Sequence, residues 1–180
     1  MDKETILKML NTHKGVDNKE RDDIARTIEF IKDNEDFYSQ KNEKGHLTAS
    51  AWVVDIMLSK TLLTHHKKLN RWLQMGGHIE KDKSLAAAAL REAREESGIV
   101  DLELFLENIF DVDVHLIPER KGELAHYHYD IRFLLIANKQ DFKVGDESHD
   151  LEWFKFDKAK TIVNEPSIKR MIIKTEDLIL

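Results

Sequence analysis

The chain of 180 residues is long enough for one domain with a full core and too short for two ordinary ones. Its 41% hydrophobic and 34% charged residues, with only two prolines and seven glycines, exclude long disordered tracts, and the lack of cysteine excludes disulfides, thiolate zinc sites, iron–sulfur clusters and cysteine nucleophiles. A formal net charge of −6 offers no global attraction to a long nucleic acid, so none is expected as a partner, and a small anionic substrate would need local help from a metal.

Residues 1–5 hold no apolar run for a secretory signal and are too acidic for a mitochondrial transit peptide, which makes a cytoplasmic location the expectation. The longest apolar stretch, 51–58, is broken by Asp55, and no membrane passage is expected. Residues 5–10 and 18–34 read as helices: Ile24, Ile28 and Ile31 recur at helical spacing, and Asp17 or Asn18 can cap the second. They form an N-terminal helical extension over 1–44 without a chemical signature, whose apolar faces are expected to pack on the main domain or on the second subunit of a homodimer. A turn at 42–45 opens the main domain, 45–180, where strands are expected at 47–58 and 60–65, a loop at 67–83 and a helix at 84–97. Strands at about 103–116, 126–137 and 151–156 follow, and a helix at 166–175 begins at Pro166. Without regular βαβ alternation, the pattern predicts an α+β fold with a mixed sheet rather than a doubly wound parallel one.

The stretch from Gly76 to Ile99 carries the chemistry. On a helix, Glu92, Glu95 and Glu96 fall within an arc of about 100°, while Ala86, Ala89, Leu90 and Ala93 form the adjacent apolar face. The alanines let that face approach a sheet, and Gly98 can adopt the left-handed conformation that stops the helix. Three like charges one turn apart repel, and a divalent cation would compensate them. Mg²⁺ takes oxygen ligands and shares them with water and phosphate, which suits a hydrolase of phosphoanhydrides. A solvated helix shows such a charge run too, but does not require the glycines that bracket this one.

These residues resemble the Nudix signature: glycine, five residues, Glu, seven residues, Arg-Glu, an apolar residue, any residue, Glu-Glu, any residue, glycine, an apolar residue. Gly77 opens it, Arg91-Glu92 and Glu95-Glu96 match, Ala93 fills the apolar slot and Gly98-Ile99 closes it, while Lys83 stands where the family has Glu. The resemblance implies an α/β/α sandwich with the signature helix on the sheet. It also implies a Mg²⁺-dependent hydrolase, with Mn²⁺ as the alternative ion, that cleaves a diphosphate bond in a nucleoside diphosphate linked to another moiety. Glu92, Glu95, Glu96 and the backbone carbonyl of Gly76 correspond to the metal ligands, and Arg91 would orient the carboxylates. Glu92, Glu95, Arg91 and, from a later loop, Glu147 make up the catalytic set, with Asp146 and His149 as rivals to Glu147. Lys83 either weakens the metal site or replaces a supporting contact, with Glu80 compensating in part.

The alternation over 126–133 places His126, His128, Asp130 and Arg132 on one face of a strand. Two imidazoles and a carboxylate there suit zinc, yet a half-solvated strand shows the same pattern, and the face is expected to line the substrate pocket through His126 and His128. Trp72 and Gln74 are candidates for the same pocket. A rival reading as an isopentenyl diphosphate isomerase fails on the missing cysteine, and messenger-RNA decapping fails on the acidic balance. A nucleotide-binding or sensing module without turnover stays open because of Lys83. The base, sugar or second group of the substrate is not specified by the signature.

Overall fold

The computed structural model describes residues 2–67, 69–119, 122, 124–144 and 148–179. Helix α1 (Lys3–Thr12) begins where Asp2 accepts from the Glu4 and Thr5 amides, and α2 (Asn18–Asp33) begins where Asp17 accepts from the Glu20 amide. Strand β1 (Gly45–Asp55) stops short of residue 58 because the Asp55 carboxylate accepts from the Ser59 and Lys60 amides and Leu58 turns the chain with φ of 50°. Strand β2 (Lys60–His66) runs back from that turn.

The expected loop at 67–83 contains two short strands, β3 (Arg71–Leu73) and β4 (Met75–His78). Neither is long enough to show a period of its own; β3 is fixed by pairing with β2, and β4 by pairing with residues 48–51 of β1. Helix α3 (Leu85–Ser97) is capped by Ser84, which accepts from the Ala87 amide, and is stopped by Gly98 at φ of 66°. The strand expected over 103–116 is two, β5 (Leu102–Leu104) and β6 (Asp111–Ile117), both antiparallel to the long β7 (His126–Ala137). After β8 (Ser148–Lys155), which starts before the expected 151, the chain enters α4 (Phe156–Ile162), a helix the sequence pattern did not indicate, and then α5 (Pro166–Asp177).

The eight strands of the described residues form one mixed sheet. Its centre is the parallel pair β1–β7, in register from Gly45 opposite Tyr127 to Asp55 opposite Ala137. On one face, Leu47, Ala49, Ala51 and Val53 of β1 and Tyr129, Ile131, Phe133 and Leu135 of β7 pack with α1, α2 and α3. The N-terminal helices therefore bury their apolar faces on the main domain: Ile6, Leu10, Phe30 and Ile31 join this core, and Phe30 stacks on Tyr129 at 4.1 Å. Helices thus cover both faces, and the α+β sandwich expected from the sequence is the fold observed.

The other face changes character along the strands. Towards their ends, Trp52, Val54 and Leu134 pack with Phe156, Ile168 and Met171 of α4 and α5. Towards their starts, the same alternation presents His46, Thr48 and Ser50, paired in register with His128, Asp130 and Arg132. No helix of the described residues is long and apolar enough to cross a membrane.

Candidate active site

A cavity of about 860 Å³ opens over the polar half of β1 and β7 and extends to the acidic side of α3. Ala86, Ala88, Ala89 and Ala93 are buried, so α3 sits close to the sheet, while Glu92, Glu95 and Glu96 line the cavity. The close approach of α3 accounts for Gly77, and the neighbouring β1 for Gly76. Gly76 has φ of 154°, and a Cβ there would lie 2.2 Å from Ser50 Oγ; a Cβ on Gly77 would lie 2.8 Å from the Glu92 carboxyl group. The Gly76 amide donates to Glu96 Oε1 at 2.8 Å, joining β4 to the helix.

Arg91 arranges the remaining acids. Its Nη1 donates to Glu92 Oε1 at 2.9 Å and Glu95 Oε2 at 3.0 Å, while Nε and Nη2 grip the two oxygens of Asp82, each at 3.1 Å. Nη2 also donates to the His78 carbonyl at 3.0 Å. The hydrogen bonds from Arg91 hold the Asp82 carboxyl below the usual carboxylate range. The acid beside Arg91 is thus Asp82, one residue before the exposed Lys83. Glu80, the expected compensator, is exposed at the cavity's lining, and its amide donates to Asp82 Oδ2 at 3.1 Å.

The second wall is built from imidazoles and one carboxylate. Asp130, 2% exposed, accepts from Thr48 Oγ1 at 3.0 Å, Ser50 Oγ at 2.7 Å, Gln74 Nε2 at 3.3 Å and Arg132 Nε at 2.8 Å. Burial opposes its charge, but the Arg132 guanidinium and these donors outweigh burial and hold the carboxyl low. Arg132 is also 2% exposed, so the half-solvated strand allowed by the sequence pattern is instead buried at both positions. His46, His78, His115, His126 and His128 line the same cavity as Asp130. Burial, and then the neighbouring imidazoles, lower His46 to about 4 and His128 to about 3, so both are neutral at neutral pH.

The cavity brings together Gly76, Arg91, Glu92, Glu95, Glu96, His126, His128 and Gln74 of the residues singled out in the sequence. Trp72 is placed elsewhere: β3 pairs it with His65, and its ring packs edge-on against Phe154 at 4.9 Å, in the core beneath α4 and α5. Glu147 and Asp146 lie outside the described residues, and the His149 ring stands 5.6 Å from that of His65. Asp82, His46 and His78 were not found by sequence reasoning. Asp82 had a signal, an acid adjacent to the mismatched Lys83, whereas His46 and His78 reach the site only through the pairing of β1 with β7 and β4.

Glu92, Glu95, Glu96 and the Gly76 carbonyl supply hard oxygen donors suited to Mg²⁺. Among the described residues these acids do not bring three ligand atoms within 4.8 Å of one another.

A family model described as the NUDIX domain matches residues 46–174. A Lactococcus lactis subsp. cremoris protein named "Probable DHNTP pyrophosphohydrolase" is 26% identical over 146 residues, which cover 79% of this chain and 84% of that protein. Among solved structures, the Ap4A hydrolase of C. elegans in a binary complex aligns with a TM-score of 0.59 at 19% identity, over 74% of this chain and 96% of that one. The NUDIX domain of Shewanella oneidensis NrtR, complexed with ADP ribose, aligns with a TM-score of 0.56 at 16% identity, over 84% and 97%. These two structural likenesses show the fold.

Proposed function

The chain belongs to the NUDIX family, and we propose that it is a Mg²⁺-dependent pyrophosphohydrolase that cleaves a phosphoanhydride bond in a nucleoside diphosphate linked to another moiety. The observation that carries this reading is the acidic face of α3, whose three glutamates line the cavity while Arg91, clamped by Asp82, holds two of them in place. Glu92, Glu95, Glu96 and the Gly76 carbonyl would hold the ion. When bound, Mg²⁺ neutralises the diphosphate oxygens and makes water a better nucleophile at phosphorus. Arg91 fixes the direction of Glu92 and Glu95, the Gly76 amide fixes Glu96, and a helix carboxylate accepts the proton of the attacking water. His126 and His128, on the facing strand, contact the substrate in this reading, and Glu147 is a further candidate base.

Lys83, standing where the signature has Glu, favours a second reading as a nucleotide-binding or sensing module without turnover. The grip of Asp82 on Arg91 argues against it, because the carboxylate that steadies the arginine is present one position earlier. The test is phosphate release, with an added phosphatase where needed, from a panel that includes ADP-ribose, dinucleoside polyphosphates and DHNTP, with and without Mg²⁺. Turnover is expected only with Mg²⁺ and is expected to fall by about 100-fold or more in Glu96→Gln, as the loss of several kcal/mol of charge stabilisation requires. No turnover on any member would overturn the hydrolase in favour of the binding module.

A further inference from the structure

We propose that His46, His78 and His128 form a second metal site in the cavity, one that takes Zn²⁺. One ring nitrogen from each of the three lies within 4.8 Å of the other two, and no other His or carboxylate trio among the described residues converges so closely. The ring centroids are 5.0 Å apart for His46 and His78, 4.7 Å for His46 and His128, and 5.7 Å for His78 and His128. His46 is 2% exposed, and among the described residues neither of its ring nitrogens has a hydrogen-bond partner. A polar ring buried without a partner is costly, and an ion accepting the lone pair of one ring nitrogen relieves part of that cost.

The surroundings are those of a metal site with an open position. His126 Nδ1 lies 2.8 Å from the Leu124 carbonyl and donates to it, so its Nε2 carries a lone pair towards His128 Nε2, 3.3 Å away. His115 is oriented in the same manner by Asp113, at 3.0 Å from Nδ1. Such a carbonyl partner orients His126 as it would a metal-binding histidine, which fits it for the fourth position beside the trio. Three imidazoles with a fourth position left to water, His126 or substrate suit Zn²⁺, whereas Mg²⁺ takes oxygen ligands, so the two walls of the cavity select different ions. The site does not depend on the hydrolase reading, since its three ligands are separate from the glutamates of α3.

The test uses Co²⁺ as a coloured probe on the full chain after chelator treatment, followed by displacement with Zn²⁺. One Co²⁺ per chain is expected to give the intense visible absorption of a tetrahedral complex, to persist in excess Mg²⁺, to survive Glu92→Gln with Glu96→Gln, and to be lost on adding Zn²⁺. His78→Gln and His128→Gln, each checked for folding by circular dichroism, are expected to weaken binding by at least about 10-fold. His78 is half-buried at the cavity wall and tolerates the change, so it decides the matter should His128→Gln fail to fold. Absence of the absorption overturns the site, as does its loss with Mg²⁺ or with the glutamate variants, which would place the ion on α3. Unchanged affinity in His78→Gln overturns it as well.

Discussion

Around Asp111, beneath the cavity, acids and bases alternate. Its carboxylate accepts from Arg170 Nε and Lys174 Nζ, each at 2.8 Å, and from Arg132 Nη1 at 3.3 Å, while Lys174 also donates to Glu20 Oε1 at 2.5 Å. Asp111 and Glu20 are fully buried, and the network ties α2, β6, β7 and α5 together. In the cavity, like faces like: Glu92 and Glu95 share one arginine with Asp82, Glu96 is held only by a backbone amide, and five histidines line the same space as one buried carboxylate that is already engaged. Asp130 is the junction, receiving Thr48, Ser50 and Gln74 from the cavity side and Arg132 from the network. Charges balanced within the chain hold the fold, whereas charges left in excess point to what the chain binds.

The comparison breaks most visibly at Asp111. Asp111→Asn removes a charge on which Arg170, Lys174 and Arg132 all depend, and is expected to cost about 3–5 kcal/mol in urea unfolding, the range for breaking a buried ion pair. Glu96→Gln keeps an oxygen for the Gly76 amide, and its unfolding midpoint should correspond to a change within roughly 0.5 kcal/mol. A mild Asp111→Asn or a severely destabilised Glu96→Gln would show that the two regions do not divide stability from function in this way.

The two regions also differ in how far they could be read from the sequence. Helix α3 announced itself through the alanine face, the Ser84 cap, the Gly98 stop and the acidic arc, all local features of a single helix, and β7 was legible as a strand because its alternation is regular over its whole length. Asp111 gave no such sign. Its partners Arg170 and Lys174 lie 59 and 63 residues along the chain, and Glu20 belongs to an extension that carried no chemical signature. His46 and His128 are likewise joined only by the parallel register of β1 and β7, which follows from tertiary packing rather than from either strand's pattern. The short β3 and β4 were hidden because three- and four-residue strands carry no period and Gly76-Gly77 reads as a loop.

A smaller effect tests whether Asp82 replaces the missing acid of the signature. Asp82→Asn leaves Arg91 without its bidentate partner, and turnover is expected to fall about tenfold, as for a group that orients metal ligands. Because Asp82 already occupies Arg91, Lys83→Glu should recover little further activity. A large gain in Lys83→Glu, with Asp82→Asn silent, would show that the position of the acid matters and that Asp82 is only a structural partner.

Acid separates the two regions by pH, with the gentlest slope of these effects. In metal-free protein, His46 has a folded pKa of about 4 against an ordinary 6.5, so between those values the unfolded chain binds a proton that the folded chain does not. Its contribution is therefore complete above pH 6.5 and is lost as pH falls to about 4. Glu20 is lowered to about 2 from an ordinary 4.5, because donation from His13 and Lys174 overcomes the burial that opposes its charge. Its contribution is complete above pH 4.5 and is lost as pH falls towards 2. Each group adds a slope of at most about 1.4 kcal/mol per pH unit. Urea unfolding across this range should show a shallower acid slope between pH 6.5 and 4 in His46→Gln, with His128, lowered to about 3, keeping the remainder, and should lose the lower part in Glu20→Gln, although the latter also weakens the network at every pH. Saturating Zn²⁺ should steepen the upper part, since protons then compete with the ion for imidazole. If His46→Gln leaves the slope between pH 6.5 and 4 unchanged, His46 is not among the groups that make this range acid-sensitive.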